Sequence, residues 1–306
     1  MALGGNALLE RGEAPEELVQ RRHVRRAAQA LAPLAAEHQL VVCHGNGPQI
    51  GVLALESAQD PTLSHPYPLD ALGAATQGMI GYWLTQELAA AGVAQPVLAV
   101  VTQTVVDPAD PAFAEPTKFI GPGYDETHAD RLTRTQGWRF ARDGASWRRV
   151  VPSPRPLRIV EEPTISALTD AGSVVVCGGG GGVPVVVDPG GRLTGVDAVV
   201  DKDLTAALLA ERLGADRLLL LTDVPAVMRD FGTPQAAALR HLDLADLDGM
   251  AFPAGSMGPK TEACRRFVTA TGRPAAIGAL AQAAEVLDGA AGTTIEPAAA
   301  GVRATG

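Results

Sequence analysis

Short apolar runs alternate with longer stretches of helical periodicity along most of this chain. The runs at residues 40–43, 97–102, 174–177, 217–221 and 275–277 have strand length and composition. Helical patterns occupy residues 15–37, 48–57, 69–91, 161–171, 201–213, 258–271 and 280–287. This alternation predicts an α/β fold with a mostly parallel open sheet covered by helices on both faces. Tandem repeats are absent. Between residues 112 and 158 the rhythm breaks. There, 124–136 reads as a polar helix, 138–151 as a hairpin around Asp143-Gly144, and 152–156 as a stiff, Pro-marked exit. A small lid inserted in the main sheet fits that interruption.

The first turn, Gly4-Gly5-Asn6, stands almost at the start of the chain with scarcely a strand before it. Either the first strand is short or the start has been placed too late. At the other end, the Ala/Pro/Gly-rich tail at 296–306 is expected to fray.

Composition narrows the picture. A length of 306 residues suits one large domain or two modest ones. Hydrophobic residues make up 46% but aromatics only 4%, so the core is mainly Ala, Val and Leu. The formal charge of −9 argues against a nucleic-acid or anionic-membrane partner, and any anion site must be a local positive focus. Cys43, Cys177 and Cys264 have neither disulfide nor zinc spacing, which points to a reducing, cytoplasmic setting. No signal peptide or membrane span is evident.

Lys and Arg together number 25, yet only Lys118, Lys202 and Lys260 are lysine. Each lies in a Gly-, Pro- or Asp-marked segment, whereas dense surface runs such as Arg21-Arg22-His23-Val24-Arg25-Arg26 use Arg. Codon bias could have left three survivors by chance, but all three adjoin loop motifs. Lys is a compact, mobile point charge where Arg is a broad planar fork, and a point charge suits a phosphoryl group moving between two oxygens.

Four Gly-rich turns follow apolar runs: Gly4-Gly5-Asn6, Gly45-Asn46-Gly47-Pro48, Gly178 through Gly182, and Gly255-Ser256-Met257-Gly258. Glycine lets backbone approach a ligand, and a helix start behind it offers free N–H groups to anions. Any one of these could be an ordinary strand-to-helix turn; four together favour phosphate handling. The dinucleotide fingerprint is excluded because Gly51 falls one residue late, and the P-loop because Pro259 precedes Lys260. Asp201 beside Lys202 could keep the amine charged, cap a helix, or do both. Asp223 follows an apolar strand at the end where open α/β sheets bind ligands, or merely starts a turn. His44 lacks a partner nucleophile and reads as structural. The acidic pairs Asp107/Asp110 and Glu161/Glu162 show no metal-ligand pattern.

In order along the chain, Ala2-Leu-Gly-Gly-Asn-Ala7, His44-Gly-Asn-Gly-Pro-Gln49, Thr76-Gln-Gly-Met-Ile-Gly-Tyr-Trp83 and Pro116-Thr-Lys118 resemble the carbamate kinases of the amino acid kinase superfamily. So do Trp147-Arg-Arg-Val-Val-Pro-Ser-Pro154, Cys177-Gly-Gly-Gly-Gly, Asp201-Lys-Asp203 and Gly255-Ser-Met-Gly-Pro-Lys260. The resemblance implies a three-layer αβα sandwich, usually a homodimer. It divides a single domain into an acceptor lobe, 1–195 with its lid at 112–158, and a nucleotide lobe at 196–295. The implied reaction is reversible phosphoryl transfer between ATP and carbamate, giving ADP and carbamoyl phosphate, with Mg2+ carried by the nucleotide. It is often run toward ATP in arginine or other nitrogen catabolism. On the same resemblance Gly4, Gly5, Asn6, Gly45, Asn46 and Gly47 surround carbamate and the moving phosphoryl group, and Lys118 and Lys202 flank that group. Asp201 orients the lysines, and Asp223, Met257, Gly258 and Lys260 hold the nucleotide. A kinase of the same superfamily acting on another small acid, or a non-catalytic nucleotide binder, is the alternative. Three departures stand out: the short start, Phe119 after the lid lysine, and Pro225 with Met228 on the adenine side.

Overall fold

The computed structural model describes residues 1–5, 8–10, 12–250, 252 and 257–298. Among them, eight strands build the main sheet, in the order His241–Asp243, Thr293–Glu296, Ala275–Ala279, Leu218–Thr222, Ala2–Leu3, Val41–His44, Val174–Val176, Val97–Ala99. All neighbouring pairs run parallel except Ala275–Ala279 with Thr293–Glu296. The two-residue first strand therefore sits in the middle of the sheet, hydrogen-bonded on both sides.

The helices are α1 (Glu17–Glu37), α2 (Gly47–Gln59), α3 (Leu69–Ala90), α4 (Glu126–Gln136), α5 (Glu162–Asp170), α6 (Lys202–Arg212), α7 (Leu244–Asp248), α8 (Met257–Thr271) and α9 (Ala283–Leu287). Strand residues alternate between faces, and the core divides accordingly. Leu3, Val42, Val174, Val176, Leu219 and Leu221 pack with α1, α3 and α9. Ala2, Cys43, Val175, Cys177, Leu218 and Leu220 pack with α5, α6, α7 and α8. Three layers follow directly from strands apolar on both parities, matching the sandwich expected from the sequence.

The run at 97–102 is not one strand. Val97–Ala99 pairs at the edge of the main sheet, whereas Gln103–Val105 joins a separate sheet with Val183–Val187, Leu193–Gly195 and Arg158–Ile159. At the break Gln77 of α3 accepts from Thr102 N at 2.9 Å and donates to Thr102 O at 3.2 Å, and the same Thr102 O accepts from Val183 N at 2.7 Å, where the chain passes from one sheet to the other.

Within the stretch 112–158 expected to be a lid, residues 118–151 form a small unit of their own, called the lid below: an antiparallel sheet of Lys118–Tyr124, Ser146–Val151 and Arg139–Asp143, with α4 between its first two strands in sequence. Asp125 caps α4, and Gly137 ends it in the left-handed region at φ 68°. Ile120, Tyr124, Trp138 and Val151 share a core with Ile50 and Ala54 of α2. The lid's closest approach to the body is backbone on backbone: a Cβ added to Gly51 would stand 2.0 Å from Gly121 Cα and 2.3 Å from Gly121 N. Neither side can yield as a flexible side chain would. Gly51→Ala is therefore expected to lift the lid strand from α2 and to destabilise the chain by about 1–3 kcal/mol in denaturant titration. An unchanged midpoint would rule out this close packing.

Candidate active site

The register of the three central strands aligns their exits. Leu3 pairs with both His44 and Leu221, so the loops beginning at Gly4, Gly45 and Asp223 leave the carboxyl edge side by side. Gly4 N donates to Leu221 O at 2.7 Å, and Gly45 N donates to Leu3 O at 3.2 Å. A Cβ on Gly45 would lie 3.0 Å from Gly5 Cα, so these two turns touch as bare backbone. The same point is 3.5 Å from Lys202 Cε, which means the lysine stem crosses the paired turns.

Lys202 opens α6, and the helix start organises the charges around it. Asp201 is the N-cap; its Oδ1 accepts from Asp203 N at 2.9 Å and Leu204 N at 3.4 Å. Its other oxygen receives Lys118 Nζ, reaching in from the first strand of the lid. Lys202 Nζ donates to Asp203 Oδ1 at 2.5 Å, and Lys260 Nζ to Asp203 Oδ2 at 3.4 Å. Asp201, Lys202 and Asp203 are all buried. The three lysines, from the lid, α6 and α8, thus meet two carboxylates one residue apart on either side of Lys202. Cations outnumber anions in the cluster, making it a positive focus within a chain of charge −9.

Burial alone would raise the Asp201 carboxyl, but Lys118 and Lys202 beside it, with the bonds it accepts, hold it well below the usual carboxylate range. The Lys202 ammonium is lowered by burial, with Asp203 opposing that shift and Lys260 adding to it. His44 is pushed down to about 4 by burial, so its imidazole is neutral. Its Nδ1 lies 3.0 Å from Gly45 O, an atom that can only accept, so Nδ1 carries the proton and the ring braces the turn. Burial raises the Cys264 thiol well above the usual thiol range, so it stays protonated.

The predicted binding residues fall into two groups. Gly4, Gly5, Gly45, Asn46 and Gly47 line the carboxyl edge beside Lys202; Asn46 Nδ2 donates to Thr76 Oγ1 of α3 at 2.9 Å. Met257, Gly258 and Lys260 form the first turn of α8, which packs along α6. Asp223 lies just past the strand end, exposed, and accepts from Thr222 Oγ1 at 2.9 Å. Asn6, Gly255 and Ser256 lie outside the described residues. Phe119 stands under Arg148, whose guanidinium carbon is 5.4 Å from the ring centroid.

Two expectations change. Asp201 was to orient the lysines, yet it holds only Lys118, and Asp203 takes both others. Asp203 was missed because the residue preceding Lys202 already served as cap and counter-ion. The signal was the symmetry of Asp-Lys-Asp itself. The Gly178–Gly182 turn, read as a phosphate loop, is buried and filled by neighbours instead. A Cβ on Gly180 would stand 2.1 Å from Asn46 Nδ2, and one on Gly179 2.4 Å from the His44 ring. The turn supports the side chains of the second glycine turn from behind. Among the described residues, no group of three or more His, Cys, Asp or Glu is arranged to hold a metal ion. No described helix is long and apolar enough to cross a membrane.

The model of the amino acid kinase family matches residues 1–279, and the chain belongs to that family. Over 299 residues it is 52% identical to carbamate kinase of Rhizobium meliloti, covering 96% of this chain and 92% of that protein. Carbamate kinase from Giardia lamblia bound to citric acid superposes with a TM-score of 0.90 at 39% identity, covering 97% of each chain. The same enzyme bound to AMP-PNP gives a TM-score of 0.87 at 38% identity, again covering 97% of each. Within the amino acid kinases, the chain is a member of the carbamate kinases.

Proposed function

We propose that this chain transfers the terminal phosphoryl group of ATP to carbamate, giving ADP and carbamoyl phosphate, and catalyses the reverse. The observation that carries the reading is the meeting of Lys118, Lys202 and Lys260 on Asp201 and Asp203 beside the glycine turns. A carbamate oxygen attacks the γ-phosphorus while the bond from phosphorus to the ADP oxygen breaks. Carbamate is already ionised, so no general base is required and His44 can remain neutral. The work is positioning and charge stabilisation.

In this scheme Gly4, Gly5, Asn6, Gly45, Asn46 and Gly47 hold carbamate and the moving group against bare N–H donors. Lys118 and Lys202 flank the phosphoryl from opposite sides and offset charge on its equatorial oxygens. Lys260, with Met257, Gly258 and Asp223, holds the nucleotide. Asp201 and Asp203 aim the ammonium groups and give them up in part as phosphate oxygens arrive. A Mg2+ ion carried by the nucleotide would supply further neutralisation of its phosphate charge. The donor set fits a cation carried on phosphate oxygens and water, since both central carboxylates are already engaged by lysines.

The proposed organisation is a single domain over 1–306, with an acceptor lobe at 1–195 carrying the lid at 112–158, a nucleotide lobe at 196–295, and a tail at 296–306. A cytoplasmic homodimer working in arginine or other nitrogen catabolism is proposed on the family resemblance. The decisive assay supplies ADP, Mg2+ and carbamoyl phosphate and follows ATP. ATP formation is expected; its absence in a chain that still binds nucleotide would overturn the reading.

A further inference from the structure

The first turn of α2 holds a polar atom that the phosphoryl scheme leaves without a partner. Gln49, three residues after the N-cap Asn46, is only 3% exposed. Its Nε2 donates to Gln20 Oε1 of α1 at 2.9 Å, and Gln20 Nε2 donates to Pro15 O at 2.7 Å. A backbone carbonyl can only accept, so Gln20 turns its nitrogen to Pro15 and its oxygen to Gln49. The second amide is fixed in turn: Gln49 turns its nitrogen to Gln20, and its oxygen points to the other side. Among the described residues, Gln49 Oε1 is the one fully buried side-chain nitrogen or oxygen without a hydrogen-bond partner. Such an acceptor has given up water and received nothing in exchange.

Where that oxygen lies narrows what could meet it. Helical side chains lean back toward the helix N-terminus, so Gln49 covers the turn that opens α2. That turn is Gly45-Asn46-Gly47, packed on Gly5 and crossed by the stem of Lys202. Asn46 gives its side chain to Thr76 and leaves α2 without a side-chain cap, so the helix start is open to an anion. The groups assigned to the reaction so far are donors or already engaged: three ammonium groups, bare N–H groups, and two carboxylates held by the lysines. They suit the phosphate oxygens and the carboxylate of carbamate, which only accept. The amino group of carbamate is the exception. Its lone pair is delocalised into the carboxyl carbon, so like an amide it offers two N–H donors and no acceptor. A buried acceptor without a donor thus stands beside the turn that holds a ligand with donors to place.

We propose that Gln49 is a specificity-determining residue: its Oε1 accepts a hydrogen bond from the amino group of carbamate and of carbamoyl phosphate. The inference rests on the kinase reading above. Because the oxygen is already out of water and held by Gln20, the bond forms without further desolvation or ordering of the side chain. A ligand with a methyl group in place of the amino group leaves the acceptor unpaired and forgoes that gain. The plainer alternative is that an ordered water satisfies Gln49 Oε1 and the residue only ties α2 to α1.

The test compares carbamoyl phosphate with acetyl phosphate, which carries a methyl group where the first carries NH2. On the full chain, the KM for carbamoyl phosphate in ATP formation is set against the inhibition constant of acetyl phosphate as its competitor. In the wild-type chain carbamoyl phosphate is expected to be favoured by at least about tenfold. Gln49→Met keeps the side-chain length and removes the acceptor. It is expected to raise the KM for carbamoyl phosphate by about tenfold, to leave the constant for acetyl phosphate within about twofold, and so to abolish the preference. Gln49→Glu keeps an oxygen but loses the donor to Gln20, and is expected to retain the preference even where both ligands weaken together. A merely structural role predicts the opposite pattern, with Met and Glu alike and both ligands affected equally; that result, or a wild-type chain without preference, would overturn the proposal. Should Gln49→Met lose its cooperative melting transition, Gln49→Leu takes its place, and the wild-type preference is measured without any variant. A wild-type chain that forms no ATP from carbamoyl phosphate would instead sink the kinase reading, so the two failures are distinct.

Discussion

Lys202→Arg is expected to lower turnover by on the order of a hundredfold or more, by analogy with the loss of a preorganised donor. The space around Lys202 explains why so mild a change should matter. Its stem lies 3.5 Å from where a Cβ on Gly45 would be, its ammonium is 2.5 Å from Asp203, and only 9% of the residue is exposed. A planar guanidinium is broader and its donors are fixed in a fork, so it must either displace the glycine turns or leave Asp203. Lys118→Arg is expected to cost a similar factor, because a fork at Asp201 would change where the lid places its charge. Lys260→Arg should act mainly on the KM for ADP. Steady-state ATP formation measures all three. Near-wild-type rates in every case would leave the scarcity of lysine as an accident of composition.

Much of this arrangement was legible in the order of residues. Strands buried on both faces declare themselves by apolar runs, and the central ones were found within a residue or two: Val41–His44, Val174–Val176, Leu218–Thr222 and Ala275–Ala279. The polar helix and the hairpin around Asp143-Gly144 were visible because they interrupt the rhythm. What escaped was short, exposed or set from a distance. Ala237–Leu239 and His241–Asp243 have three residues each, too few to establish a period of two. At the break, Thr102 bonds to Gln77, 25 residues away in sequence, and to Val183 N of the second sheet, and no local pattern encodes either contact. The glycines at 178–182 look like ligand loops in sequence. Whether a ligand or a side chain fills the space beside a glycine is decided by the packing of Asn46 and His44. The lysines were conspicuous by rarity, but which carboxylate holds which lysine depends on the first turn of α6.

That division of carboxylates leads to the sharpest expected result. Asp203→Asn should reduce turnover by on the order of a hundredfold, because it loosens two ammonium groups at once. It should also change the pH profile in a definite direction. Burial already lowers the Lys202 ammonium, and Asp203 is the largest influence opposing that shift. Removing its charge lets the ammonium fall further, and Lys260, which repels it, remains. Activity depends on Lys202 being charged, so the rate falls as pH rises through its pKa. The alkaline limb of kcat should therefore move to lower pH in Asp203→Asn. Asp201→Asn provides the contrast: Asn can still cap α6, and Asp201 ranks behind both Asp203 and Lys260 among the charges acting on Lys202. Its loss should fall mainly on Lys118, with a smaller displacement of the same limb. An alkaline limb that stays fixed in Asp203→Asn, or moves further in Asp201→Asn, would show that Asp203 does not govern the charge of Lys202.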